Sequence, residues 1–514
     1  MTNPACAKMA SVPVRRRLLA LVAITTMGTA SCSAGAGNVP DGAGVGEGQR
    51  NVRIGLAAEP TSLDFTKNDG VAIPQVELGN IYETLVKQSQ NGDLVPGLAK
   101  GWTVSKDRKT YVFTLWPGVK FSDGSAFTAA DAVWSINQVK SDAWTISLKA
   151  GMDPVKKAEA VSPTRLKVTL KQPSNSWLYA MTTRIGAMFP EGAKDLATKP
   201  VGTGPFVFSH WKRGDSIVLR RNENYWGKQP YFKSVALLYF KDSISANNAM
   251  KSRTIDVLGT VQAPETMSEF PSDDFTIVEG TTNSEVVLSM NASTAPFNDK
   301  RVRLAARHAI NKKSLIDTCW AGYGKQIGSM VPPTDPWYED LTGVTPYDPA
   351  KAKRLLKQSG KADKPVRLRL PSLPYAASCG PVVKSALEQV GFTVKVDVLE
   401  FPAAWLTSVL TGSDYELSMI AHAEPRDMAA VFGNPDYYTH FQNPQMATLL
   451  KRADTGTPNQ QIEAMKSAGR LIAQEGAADF LFVLPNLIVS DKDITGLPEN
   501  SITEGFDLAA LKRS

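Results

Sequence analysis

The sequence predicts an α/β fold of two or three domains, and three observations carry that reading. Tyr111, Phe113 and Leu115 alternate with Thr110, Val112 and Thr114, the period of two of a half-buried strand. Ser122-Asp123-Gly124 then supplies a turn, and Thr128 caps a helix whose first turn holds Asp131, an acid suited to the helix dipole. Farther on, 366–370, 379–390 and 392–399 read as strand, helix and strand, a βαβ-like unit. The composition, 43% hydrophobic and 21% charged, is that of an ordinary globular chain. Roughly 480 residues follow the N-terminal segment, enough for two or three domains of about 100–200 residues each.

Residues 1–31 are expected to be a secretory signal rather than fold. Lys8, Arg15, Arg16 and Arg17 form a positive start with no acid in the segment, and Leu18 to Ile24 is an apolar run too short to span a membrane. Thr29-Ala30-Ser31-Cys32 resembles a bacterial lipobox, with Thr29 where Leu, Val or Ile is usual; the resemblance implies that Cys32 is lipidated and becomes the mature N-terminus. Residues 32–50 follow as a Gly-rich flexible tether. The signal holds four of the 57 basic residues, which leaves 53 against 50 acidic ones, so the pI near 9.0 makes no case for nucleic acid.

Beyond the tether, 52–56 reads as a strand. Glu59 and Asp64 invite comparison with a catalytic carboxylate pair, but a turn and helix entry explains them more simply. Leu166 to Leu170 is a strand, and Trp177 to Met181 and Ser243 to Met250 are helices. Gly202 and Gly204 flank Thr203 without a following Gly-Lys-Ser/Thr, so they do not form a phosphate loop; glycines there let backbones pass closely. Val302, Leu304, Ala305, Ala309 and Ile310 have the spacing of a core-facing helix, and Asp348 with Pro349 starts another.

Four stretches share a resemblance. They are Gly101-Trp102 followed by Tyr111-x-Phe-x-Leu and Gly118-Val-Lys-Phe-Ser-Asp-Gly-Ser-x-Phe-Thr-Ala-x-Asp131; Pro200-Val-Gly-Thr-Gly-Pro-Phe-Val-Phe through Trp211 to Tyr225-Trp226-Gly227; Phe297-Asn-Asp-Lys-Arg-Val-Arg303; and Tyr347-Asp-Pro-Ala-Lys-Ala-Lys353. Together they resemble the family 5 extracellular solute-binding proteins, the peptide- and nickel-type receptors of ABC importers. The resemblance implies a two-lobed periplasmic-binding-protein-like α/β fold with an extra domain and a hinge between lobes, and a helix from Gln75 to Val86 after Glu59-Pro-Thr-Ser-Leu-Asp64. The implied division is 51–76, 200–283 and 482–514 as domain I, 77–199 as domain II and 284–481 as domain III. It also implies a monomer on the extracytoplasmic face that hands a solute, a short peptide first, to the transmembrane subunits of a permease.

By the same resemblance the chain crosses between lobes near Thr281 to Asn291, where backbone amides line the cleft, so Thr282 and Asn283 are candidate contacts. A strand at 417–420 ends in Ala421-His422-Ala423-Glu424-Pro425-Arg426-Asp427, the place where an α/β domain carries its site. Peptide receptors of the family carry Gly-Trp and then an ammonium-binding Asp here. This chain has Ala421-His422 and Pro425 instead, with Glu424, Arg426, Asp427 and His422 as the charged candidates. Trp405 and Tyr437, with Tyr438 and Phe441, are candidate pocket aromatics.

The alternatives on this fold are receptors for a nickel chelate, an opine or a sugar. In other classes stand a secreted hydrolase and a structural or regulatory lipoprotein. No His-Glu-x-x-His, Cys-x-x-Cys or Gly-x-Ser-x-Gly occurs, and His422 with His440 lacks a metal-ligand spacing, so neither catalysis, metal nor cofactor is expected. Cys319 and Cys379 are the two cysteines of the expected folded body; either they form a disulfide, as exported thiols commonly do, or they remain two buried thiols.

Overall fold

The computed structural model describes residues 50–68 and 70–514. The expected signal, Cys32 and the tether up to residue 49 lie outside them. Among the described residues no helix is long and apolar enough to cross a membrane.

One large mixed sheet organises the chain. From one edge its strands run Thr393–Leu399, Pro365–Pro371, Leu417–His422, Phe275–Met290, Ala478–Asp491, Val257–Leu258, Asn51–Leu56, Ser234–Tyr239, Ser216–Arg221 and Phe206–Lys212. The two long central strands tie the halves together. Residues Phe275 to Thr281 pair antiparallel with Asp491 to Pro485, and Glu285 to Ser289 pair with Val483 to Ala478, with a break in register between Thr281 and Glu285. Thus the crossing expected near 281–291 lies on one continuous strand, Phe275–Met290, bent at that break.

Beyond the break, side chains alternate between two cores, as the pleat requires. Val286, Leu288 and Met290 pack with Leu368, Val383 and Leu417, whereas Val287 packs with Ile420, Phe432 and Phe480. The other half rests on a separate core that includes Ile54, Leu219, Leu237 and Val257.

Residues 99–170 contribute a four-stranded antiparallel sheet, in the order Ala99–Val104, Thr110–Leu115, Arg165–Leu170, Val155–Ser162. Tyr111, Phe113 and Leu115 are buried and their neighbours half-buried, as the alternation predicts. Helix Ala129–Lys140 opens with a capping box: Thr128 Oγ1 accepts from Ala130 N, and Asp131 Oδ2 accepts from Thr128 N at 2.8 Å.

Several element boundaries differ from the sequence reading. The helix expected from Gln75 to Val86 is only Ala72–Glu77, because Gly79 turns the chain at φ +79°, and Val86 begins a strand. The helix expected to open at Cys379 starts at Pro374, whose fixed φ suits a first helical position. The strand expected to stop at Ile420 continues to His422.

Other readings hold. A Cβ on Gly202 or Gly204 would lie 2.0 or 2.3 Å from a carbonyl oxygen of Ile81 or Asn80, so these glycines serve close backbone passage. Glu59 accepts from Trp211 Nε1 at 2.7 Å and from Gly214 N, while Asp64 closes a local turn by accepting from Thr66 N. Both carboxylates are structural. Cys319 and Cys379 form a disulfide, Cα to Cα 4.9 Å, joining helices Lys312–Cys319 and Pro374–Gln389.

Glu77 is buried with neither carboxylate oxygen hydrogen-bonded. Burial first, and then the Asp64 charge, hold its carboxyl well above the ordinary range. The folded state therefore binds this proton more tightly than the unfolded chain, and stability falls as pH rises from the ordinary carboxylate value through the folded one. Glu77→Gln keeps the shape and removes the group that titrates. We expect its Tm advantage over the parent to be larger at pH 8 than at pH 5; an equal difference at both would refute this account.

Candidate functional site

The register break leaves Thr282, Asn283 and Ser284 outside the ladder, and they form part of the wall of a cavity of about 420 Å³. Facing them are Leu484 and Pro485 of the second central strand, Gly259 to Gln262 and the C-terminal segment around Ser501 to Asp507. Local hydrogen bonds hold this corner in shape. Thr282 Oγ1 donates to Leu484 O at 2.7 Å and accepts from Ser284 N at 2.9 Å, and Asn283 Nδ2 donates to Ile502 O at 2.8 Å.

Among the described residues Arg184 is the one base lining the cavity, against Glu424, Glu504 and Asp507. It is nearly buried. Its backbone N and Nε each donate to Glu504 at 2.6 Å, and Nη1 donates to the carbonyls of Asn68 and Gly70 at 3.3 Å. The guanidinium is thus neutralised in place, and the wall keeps a surplus of negative charge at Glu424 and Asp507.

The charged loop after strand Leu417–His422 divides. Glu424 lines the cavity, as Thr282 and Asn283 do. Arg426 does not; it sits between the rings of Tyr179 and Trp337, 3.7 and 4.6 Å from their centroids, and its Nε donates to Asp335 at 3.1 Å. Asp427 turns inward to His422, whose Nδ1 lies 3.1 Å from Asp427 Oδ2 and whose Nε2 lies 2.8 Å from the Tyr438 hydroxyl. Trp405 is 3% exposed, and its Nε1 donates to Ser418 Oγ inside the core. Tyr437 is half-buried against Tyr438, and neither it nor Trp405 lines the cavity. Their apolar rings join the core beneath the site, which corrects the expectation of an aromatic pocket wall. His440 stands apart from His422, next to Ser413.

Glu285, unremarked in the sequence, is directly opposite His422 across the ladder and 3% exposed, with Oε2 unpartnered. Burial, then the charge of Asp427, raise its carboxyl well above the ordinary range. Arg184, Glu504 and the C-terminal wall also escaped sequence reasoning; their contacts join distant residues and leave no local pattern.

A second set of contacts joins Arg108 and residues 174–176 to residues 453–456. Asp454 accepts from Ser174 Oγ, Ser176 Oγ and Ser176 N, at 2.9, 2.7 and 2.9 Å, and Asn175 Nδ2 donates to the carbonyls of Ala453 and Gly456. Arg108 donates to the carbonyls of Thr455 and Gly456.

Residues 93–443 match the family described as bacterial extracellular solute-binding proteins, family 5 Middle. The nickel-binding periplasmic protein of Escherichia coli (strain K12) is 31% identical over 343 residues, 62% of this chain and 65% of that protein. The glutathione-binding protein GsiB of the same strain is 28% identical over 326 residues, 60% of this chain and 62% of that protein. The chain thus aligns with less than two thirds of either relative. The crystal structure of the ABC transporter substrate binding protein CtaP from Listeria monocytogenes matches with a TM-score of 0.81, covering 90% of this chain and 99% of that one at 20% identity, which shows the same two-lobed α/β fold. With the family match running across both central halves of the fold, the chain belongs to the bacterial extracellular solute-binding proteins of family 5.

Proposed function

We propose that this protein is the substrate-binding component of an ABC importer, capturing a short peptide between its lobes and presenting it to a permease. The observation that carries the reading is the cavity at the bend of the two central strands. Its volume lies within the ~300–1,000 Å³ usual for small-molecule sites, and its wall draws on both halves of the sheet. Thr282 to Ser284, outside the ladder with the second central strand, bring main chain to the cavity wall. The acidic surplus at Glu424 and Asp507 suits a solute carrying positive charge. The similarity to a glutathione-binding protein supports a peptide-like solute, and the similarity to a nickel-binding protein favours a metal complex as the second reading.

In this reading the domains are 51–76, 200–283 and 482–514, then 77–199, then 284–481. The Ser174–Asp454 and Arg426–Tyr179 contacts would hold the closed form, and ligand would favour closure by binding that form better. Cys32 carries the lipid that keeps the monomer at the membrane beside its permease. No chemistry is done on the solute.

Native mass spectrometry of the purified protein, before and after mild unfolding, tests the proposal. Released masses fitting short peptides, with rebinding of a synthetic one, are expected. One discrete non-peptide mass, with no peptide rebinding, would overturn the peptide reading.

A further inference from the structure

We propose that helix Pro349–Ser359 and the turn after it form a basic pole that docks on an anionic phospholipid bilayer. Between Pro349 and Lys364 stand six cations, Lys351, Lys353, Arg354, Lys357, Lys361 and Lys364, against one acid, Asp363. Everything beyond residue 31 carries a surplus of only three, 53 bases against 50 acids. This one segment exceeds that surplus, so the remainder is slightly acidic and the positive charge is local.

The fold turns these cations outward. Ala352 and Leu356 are buried in the core beside helix Lys300–Ala309. Lys353, Arg354 and Lys357 therefore share the opposite face, all three exposed, with Lys351 exposed at its flank. Among the described residues none of the six is ion-paired, and Lys361 Nζ donates to Asn298 Oδ1. The acids around them are engaged elsewhere. Asp348 caps the helix by accepting from Lys351 N at 2.8 Å, Asp299 holds Arg301, and Glu475 holds Lys300. Ordinary solvated helix faces in this protein mix their signs, as Lys313 with Asp317 and Lys384 with Glu388 do.

Unneutralised cations on the outer face of an amphipathic helix are drawn to anionic headgroups. Tyr347, 48% exposed just before the helix, adds a ring of the kind that settles at headgroup level. None of these residues lines the cavity, so the pole is independent of what fills it.

Vesicle flotation, with a parallel titration of polyphosphate, tests it. The protein is taken from Gln49, because Gln49–Ser514 is a compact unit by itself and no lipid on Cys32 can then carry it to the bilayer. Vesicles of phosphatidylcholine with about 30% phosphatidylglycerol should bind it at low ionic strength and release it at about 0.5 M NaCl. Pure phosphatidylcholine should not bind. Lys353→Glu, Arg354→Glu and Lys357→Glu together should weaken binding at least about thirtyfold with the Tm unchanged. Lys106→Glu, Lys156→Glu and Lys228→Glu, equally exposed, should together cost less than about threefold. Equal binding to pure phosphatidylcholine, indifference to the first triple variant, or an equal loss from the second would each overturn the pole. Polyphosphate binding without vesicle binding would assign it to a soluble polyanion and overturn the bilayer. Either failure leaves solute retained in mass spectra, and the importer reading with it, untouched.

Discussion

Asp479→Ala should cost about 3–5 kcal/mol of stability, the loss typical of stripping a buried charge of its partner. Asp479 is fully buried, with its carboxylate 3.0 Å from Lys312 Nζ and 3.5 Å from Arg307 Nε. Lys312 Nζ also donates to the carbonyls of Ile327 and Phe480, and Arg307 to those of Ala473 and Gly328. Burial already pushes both cations below their ordinary pKa, and the Asp479 charge opposes that shift. Without it, two buried cations face carbonyl dipoles and, for Arg307, the Phe480 ring. A base whose folded pKa is depressed binds fewer protons folded than unfolded, so its contribution to stability improves as pH rises toward the ordinary lysine value. The Asp479→Ala deficit should therefore narrow between pH 7 and pH 9.5. Urea midpoints of parent and variant at both pH values measure this. A loss below about 1 kcal/mol would show the cluster to be internally compensated.

Removing the Cys319–Cys379 bridge should be comparably severe. The cysteines are 60 residues apart, and closing a loop of that size constrains the unfolded chain by about 4 kcal/mol in the chain-entropy model. Both ends lie in one core, beside Leu315, Ile316, Ala376 and Val383. The double Cys319→Ala, Cys379→Ala variant should unfold at lower denaturant, and reduction of the parent should bring it to nearly the same midpoint. If the unfolded, unreduced parent takes up as much alkylating reagent as it does after reduction, the bridge does not exist in solution.

The local elements were legible because each carries its cause within a few residues. The alternation at Thr110–Leu115, the Thr128 and Asp348 caps, and the strand–helix–strand order around 366–399 all appear in the fold. Misplaced boundaries came from signals weaker than the tertiary context. Gly79 ended the helix that the family resemblance implied would run to Val86, and pairing with the strand Phe275–Met290 carried 417–422 two residues farther than its hydrophobicity showed. That extension placed His422 on the strand, opposite Glu285, and changed the chemistry of the corner.

By itself, the sequence determined the class of the fold, the family resemblance and the presence of charged side chains after one central strand. Only the tertiary structure decided what those charges meet. Glu424 faces the cavity while Arg426 stacks on Tyr179; Arg184 finds Glu504, Asp479 finds Lys312, and Cys319 finds Cys379. The reason is physical: periodicity and caps act over one or two turns of chain, whereas charge pairing and burial act through space. Partners separated by tens or hundreds of residues meet only once the central strands have paired.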